Sequence, residues 1–167
     1  MHNELTQKDI RLMREELDYR RIQLRPKLLE AVKEARGFGD LSENFEYKAA
    51  KREKNRNDSR IRYLERMIKT AKVIKSNSKA DEVGLFDSVK IYIEEDDEER
   101  DIRIVTTLRQ NAPLGLISKE SPVGAALMGH RVGDRVKVEV SEDYSYYIVI
   151  RAIEKGSDDE SLPIRGY

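Results

Sequence analysis

Asp40 and Glu43 stand three residues apart in the run Gly39-Asp40-Leu41-Ser42-Glu43-Asn44, and Lys48, Arg52, Arg56 and Arg60 follow at steps of four. Two carboxylates so spaced offer hard oxygen donors to a divalent cation. Mg²⁺ wants octahedral oxygen ligation and gives up its waters reluctantly, so two acids make half a metal site. A two-metal phosphoryl-transfer centre with one loosely held ion is the kind of partner that would complete it. The same two acids also read as an Asp-x-x-Glu capping box that satisfies exposed N–H groups where a helix begins. The cations share one helical face, with Arg36 and Lys51 nearby. Such a stripe can follow a phosphate backbone, and it equally suits a solvated face with Glu–Lys pairs.

Other chemistries are excluded by composition. The 167 residues include no cysteine, so there is no disulfide framework, thiolate metal site or cysteine nucleophile. The two histidines, His2 and His130, are too few and too distant for a histidine metal site. No apolar run approaches the ~20 residues of a membrane span, and the start, MHNELTQKDI, lacks the apolar core of a signal peptide. The expectation is a soluble, cytoplasmic protein. Charged residues make up 38% of the chain and aromatics 7%, which predicts an elongated or helical part beside a small core.

Zero net charge hides a division. Residues 1–75 hold 20 Lys+Arg against 13 Asp+Glu, a net of +7, and residues 76–167 hold 12 against 19, a net of −7. Two modules are expected, the first able to face nucleic acid or an acidic surface. In the first, Ile10, Met13, Leu17, Leu24, Leu28, Ala31 and Ala35 recur at one-face helical spacings, as do Ala50, Asn57, Ile61, Leu64, Ile68 and Ala71. Gly37-Phe38-Gly39-Asp40 breaks the pattern between them. Two arms of ~30 residues, about 45 Å each at the α-helical rise, predict an antiparallel coiled-coil hairpin with its tip near 37–44. Its seam is thin, since several heptad positions are Arg, Lys or Asn, and Pro26 should kink or loosen the first arm.

The second module changes period. Val89, Ile91 and Ile93 alternate with polar neighbours, as do Ile102 and Ile104 after the acidic run 94–99, then Val136, Val138 and Val140, then Tyr144, Tyr146, Ile148 and Ile150. Ser121-Pro122 is a helix start, with Ser as N-cap and Pro at the first helical position, and Gly129 can end that helix. The fold class is therefore α+β: a helical hairpin over 1–75, a small antiparallel β domain with one short helix over 76–155, and an unpatterned polar tail over 156–167, expected to be mobile.

The run GDLSENFEYKAAKRE resembles the coiled-coil tip of the bacterial GreA/GreB transcript-cleavage elongation factors, and SPVGAALMGHRVGDRVKVEV resembles the signature of their C-terminal domain. The resemblance covers most of residues 5–153, with the C-terminal motif nearer the GreA side of the family. It implies an FKBP-like C-terminal domain that docks at the secondary channel of bacterial RNA polymerase through a loop matching Ser121 and Pro122. It implies a coiled coil that reaches the active site, where Asp40 and Glu43 share a Mg²⁺ with the polymerase and the 3′ end of backtracked nascent RNA is cut. Ser42 and Asn44 then take supporting roles, Tyr47 packs at the tip, and Arg36, Lys48, Lys51, Arg52 and Arg56 form the basic patch toward the RNA. The protein is expected to be a monomer that completes the polymerase's nuclease site rather than an enzyme alone, with no tightly bound cofactor of its own. An inhibitor of the same architecture is the alternative. Departures from the family pattern are Phe45 in place of the usual alanine, Thr107–Pro113 without the usual acids, and Ser141–Tyr144 in place of a Pro-Gly turn.

Overall fold

The computed structural model describes residues 3–39, 43–159 and 161–166. The chain divides into two compact units, one of residues 9–71 and one in which the segment up to Lys8 joins residues 72–166. The early segment belongs to the second unit because strand β1 (Glu4–Leu5) pairs in parallel with β2 (Lys72–Val73).

The helical unit carries α1 (Gln7–Tyr19) into α2 (Arg25–Arg36), then returns along α3 (Phe45–Thr70). Between α1 and α2 the chain widens into a π-helical turn, Arg20–Leu24, in which the Arg25 N–H bonds to the Arg20 carbonyl. Pro26 explains it. Its ring would strike the carbonyl four residues back and it has no N–H to offer; a wider turn relieves the crowding without breaking the rod. Ile10, Met13 and Leu17 on α1, and Ile61 and Leu64 on α3, are buried.

Next along the hairpin the seam turns polar. Glu16 accepts from Arg60 at 2.8 and 3.0 Å and from Arg20 at 2.7 Å, while Arg20 also donates to the Asn57 side-chain oxygen at 2.9 Å. Burial pushes the Glu16 carboxyl up, but the hydrogen bonds from Arg60 and Arg20 outweigh it and hold the group below its ordinary value. Arg21–Glu65 and Arg25–Asp58 pairs tie the arms together further along.

The second unit is a five-stranded sheet in the order β5-β4-β3-β7-β6. Its strands are β3 (Ser88–Ile93), β4 (Glu98–Val105), β5 (Leu116–Ser118), β6 (Arg135–Glu139) and β7 (Ser145–Glu154). Neighbours are antiparallel except β5, which runs parallel to β4, a departure from the all-antiparallel expectation. Two 3₁₀ turns, Thr107–Arg109 and Ala112–Leu114, carry the chain back to make that pairing. Val89, Ile91, Ile93, Ile102, Ile104, Val136, Val138, Ile148 and Ile150 form one apolar face, with Val83, Phe86 and Leu127 of helix α4 (Pro122–Leu127) in the same core. The acidic run becomes the β3–β4 turn, where Glu94 pairs with Arg135 and Asp97 accepts from the Tyr92 hydroxyl.

The described residues beyond 155, where a mobile polar tail is expected, make contacts with the rest of their unit. The Asp158 carboxylate accepts from Thr6 at 2.7 Å and pairs with Arg109, whose side chain is fully buried. Lys8 donates to the Asp158 carbonyl at 2.7 Å, Gly156 N–H to Asp87 at 3.0 Å, and Arg165 N–H to the Leu108 carbonyl at 2.7 Å. Polar contacts hold this segment, and Leu162 packs against the sheet core.

Candidate functional site

The hairpin end is organised by Asn44. It sits in extended backbone as the N-cap of α3, and its side-chain oxygen accepts from Tyr47 N–H at 2.9 Å. Its amide nitrogen donates to the Ala35 carbonyl on α2 at 2.6 Å. One buried side chain thus starts the returning helix and clamps it to the outgoing one. Both ends of the Asn44 amide are engaged in holding the hairpin end.

This cap also changes the reading of the acids. With Asn44 as N-cap, Glu43 precedes the helix and cannot be the third helical residue of a capping box. Glu43 is exposed. Asp40 and Ser42 lie outside the described residues. Among the described residues no cluster of three or more His, Cys, Asp or Glu is placed to hold a metal. The exposed Glu43 carboxylate is a hard oxygen donor that fits Mg²⁺ as one contributor to a shared ligand set, not as a site by itself.

Behind the tip, Tyr47 gathers cations from both arms. The Arg36 guanidinium lies 5.6 Å and the Lys51 ammonium 5.9 Å from its ring centre. The Arg36 hydrogen bond, with help from the Lys51 charge, lowers the Tyr47 hydroxyl's pKa from its ordinary value. Lys48, Lys51, Arg52, Asn55, Arg56 and Ser59 line a shallow concavity of about 680 Å³ on α3. The expected patch of Arg36, Lys48, Lys51, Arg52 and Arg56 is therefore brought together around the first turns of this helix.

Arg60 leaves the stripe. It is buried and committed to Glu16. Steps of four on a helix of 3.6 residues per turn drift by about 40° each. By the third step from Lys48 the side chain has rotated about 120° and faces the seam.

At the other predicted site, Ser121 Oγ accepts from Gly124 N–H at 3.1 Å and donates to the Ser118 carbonyl at 2.7 Å, with Pro122 opening α4. The helix-cap expectation holds there. Gly124 is required by contact: a Cβ at this position would lie 2.0 Å from the Ser118 carbonyl oxygen. Gly129, at φ +79°, ends the segment in a conformation that glycine adopts without strain.

Sequence reasoning missed the Asn44 cap, although Asn directly before a helical run is a standard start signal. Phe45, the ring that stands in place of the family's usual alanine, is 80% exposed, with the Lys48 ammonium 5.7 Å from its centre.

The chain is similar to known proteins over most of its length. Residues 3–73 match the family described as transcription elongation factor, N-terminal, and residues 77–155 match transcription elongation factor, GreA/GreB, C-term. The transcription elongation factor GreA of Thermoanaerobacter pseudethanolicus is 44% identical over 81% of this chain and 87% of its own length. That of Thermotoga maritima is 37% identical over 90% of this chain and 97% of its own. Among solved structures, GreA factor homolog 1 of Thermus thermophilus is 25% identical, with a TM-score of 0.42 over 93% of this chain and 100% of that one. The helical hairpin, the mostly antiparallel sheet unit and these matched segments together establish that the chain belongs to the GreA/GreB family of transcription elongation factors.

Proposed function

We propose that the chain binds bacterial RNA polymerase as a monomer in the cytoplasm, enters by the secondary channel, and stimulates Mg²⁺-dependent cleavage of the 3′ end of backtracked nascent RNA. The observation that carries this reading is Glu43. It is an exposed carboxylate outside the helix cap, held next to the Asn44 clamp and ahead of a cationic surface. Among the described residues its side chain has no hydrogen bond or ion pair in the fold.

In this reading Glu43, with Asp40 by the family resemblance, offers carboxylate oxygens to a Mg²⁺ shared with the polymerase. When bound, the ion would stabilise the charge that develops in phosphoryl transfer. The chain's own part is positional. Asn44 fixes where the α2 and α3 backbones stand, so the carboxylate is presented from a defined frame. Arg36, Lys48, Lys51, Arg52 and Arg56 supply the positive field that holds RNA phosphates near it. The Ser121-Pro122 start of α4 is the proposed docking contact with the polymerase. The protein completes a nuclease site and does not cut RNA alone.

The test is RNA cleavage in backtracked polymerase complexes, with binding and elongation rate followed together. The wild type should stimulate cleavage. Glu43→Gln should lose nearly all stimulation and keep its affinity for the polymerase, because among the described residues the side chain makes no polar contact that the amide would break. Equal loss of binding and cleavage would make Glu43 structural. Slowed elongation without cleavage would replace this reading with an inhibitory one.

A further inference from the structure

Phe45 is a large ring left in solvent among the described residues. It is the first residue of α3 and is 80% exposed, although its neighbour Asn44 is buried. Its place on the helix is informative. At 100° per residue, Phe45, Lys48, Arg52 and Arg56 fall within an arc of about 80°. The ring therefore heads the same face as the concavity lined by Lys48, Lys51, Arg52, Asn55, Arg56 and Ser59. Those lining residues carry four cations and no carboxylate. Lys48 connects the two features, since its ammonium lies 5.7 Å from the ring centre.

An exposed aromatic ring at the head of a cationic track fits single-stranded nucleic acid. Phosphates follow the cations while a base stacks on the ring, and the stacking tolerates any base because every base has a π face. A purely apolar partner would not match the lysine and arginines beside the ring. We infer that Phe45 is a stacking platform for a base of single-stranded RNA whose phosphates lie on the Lys48–Arg56 face. The inference rests on the proposed function for the identity of the RNA, the extruded 3′ segment. It adds a positioning role: the stacked base sets which phosphodiester stands before Glu43.

Two experiments separate this inference from the reading it rests on. In the first, the free full-length chain is titrated with single-stranded RNA carrying 2-aminopurine at its 3′ end, whose fluorescence is quenched by stacking. The wild type and Phe45→Tyr should quench. Phe45→Ala and Phe45→Leu should bind about tenfold more weakly, the order expected for one lost stack, and lose the quench. Glu43→Gln should quench as the wild type does. Helical ellipticity should be equal in all five proteins, since the ring is exposed. Absence of quenching by the wild type, or equal quenching by Phe45→Ala, overturns the inference.

In the second, cleavage is measured in backtracked complexes with a normal or an abasic 3′ nucleotide. Phe45→Ala should lower stimulated cleavage of normal RNA about tenfold, and the abasic RNA should lower it equally with no further loss in the variant. Full rescue by Phe45→Leu with abasic RNA cut normally would place the ring against a protein wall and overturn the inference. If the wild type stimulates no cleavage of either RNA, the functional reading falls while the quenching result still decides the stacking.

Discussion

The helical unit and the sheet unit are held by opposite means. In the sheet unit, side chains of period two converge on one continuous apolar face. In the hairpin, burial is apolar from Ile10 to Leu17 and at Ile61 and Leu64, and beside them the seam is closed by Glu16, Arg20, Asn57 and Arg60. A hydrophobic face gives stability with little demand on geometry. A buried polar network gives less net stability, and it is satisfied in only one alignment of the two arms. Register matters more in a hairpin whose candidate site is at its end, because a one-residue slip of α3 against α2 would break the Asn44–Ala35 clamp and move Glu43.

The contrast can be broken most strongly where the sheet unit itself departs from it. Arg109 is a fully buried cation paired with Asp158. Asp158→Ala removes that carboxylate and should destabilise the sheet unit by roughly 3–5 kcal/mol, the cost of breaking a buried ion pair on one side. Calorimetry should show the sheet transition falling while the helical signal of the hairpin is retained. A loss under ~1 kcal/mol, the range of exposed pairs, would mean that the segment after 155 is not integral.

Arg60→Ala is the matching test in the hairpin. Glu16 keeps Arg20 and is still one-fifth exposed, so the expected loss is smaller. Removing the charged hydrogen bonds should cost about 2 kcal/mol, read as a shift in the denaturation midpoint of the helical ellipticity. Arg56→Ala, one turn earlier, should shift it by only a few tenths, as for a surface substitution. Similar shifts from the two variants would return Arg60 to the exposed stripe.

The smallest effect sharpens the comparison through pH. Burial raises the Glu16 and Asp58 carboxyls, yet hydrogen bonds from Arg60 and Arg20 to the first, and from Lys54 and Arg25 to the second, leave both below their ordinary values of 4.5 and 3.8. A lowered folded value means that the stabilisation is present above the ordinary value and is lost as pH falls through the lowered one. Acid titration should therefore weaken the hairpin below pH 4.5, and Glu16→Gln should flatten that dependence. An unchanged acid profile in Glu16→Gln would show that the network is not the source.

Local pattern was legible in the sequence to the extent that it is set by neighbours. Helical and strand periods, the Pro26 disturbance and the Ser121-Pro122 helix start all depend on residues a few positions apart, and they are found where the spacing put them. The tertiary structure decided what depends on distant partners. Arg60 was one more cation in a series until the helical drift along α3 set it opposite Glu16, 44 positions away. Asn44 was one polar residue among several until the Ala35 carbonyl stood opposite it. Asp158 looked like part of a loose tail until Thr6 and Arg109 closed on it from 152 and 49 positions away. Charge and polarity in a sequence state what a side chain can bind. Whether it meets water, a phosphate or a buried partner is set by which segments the apolar faces bring together.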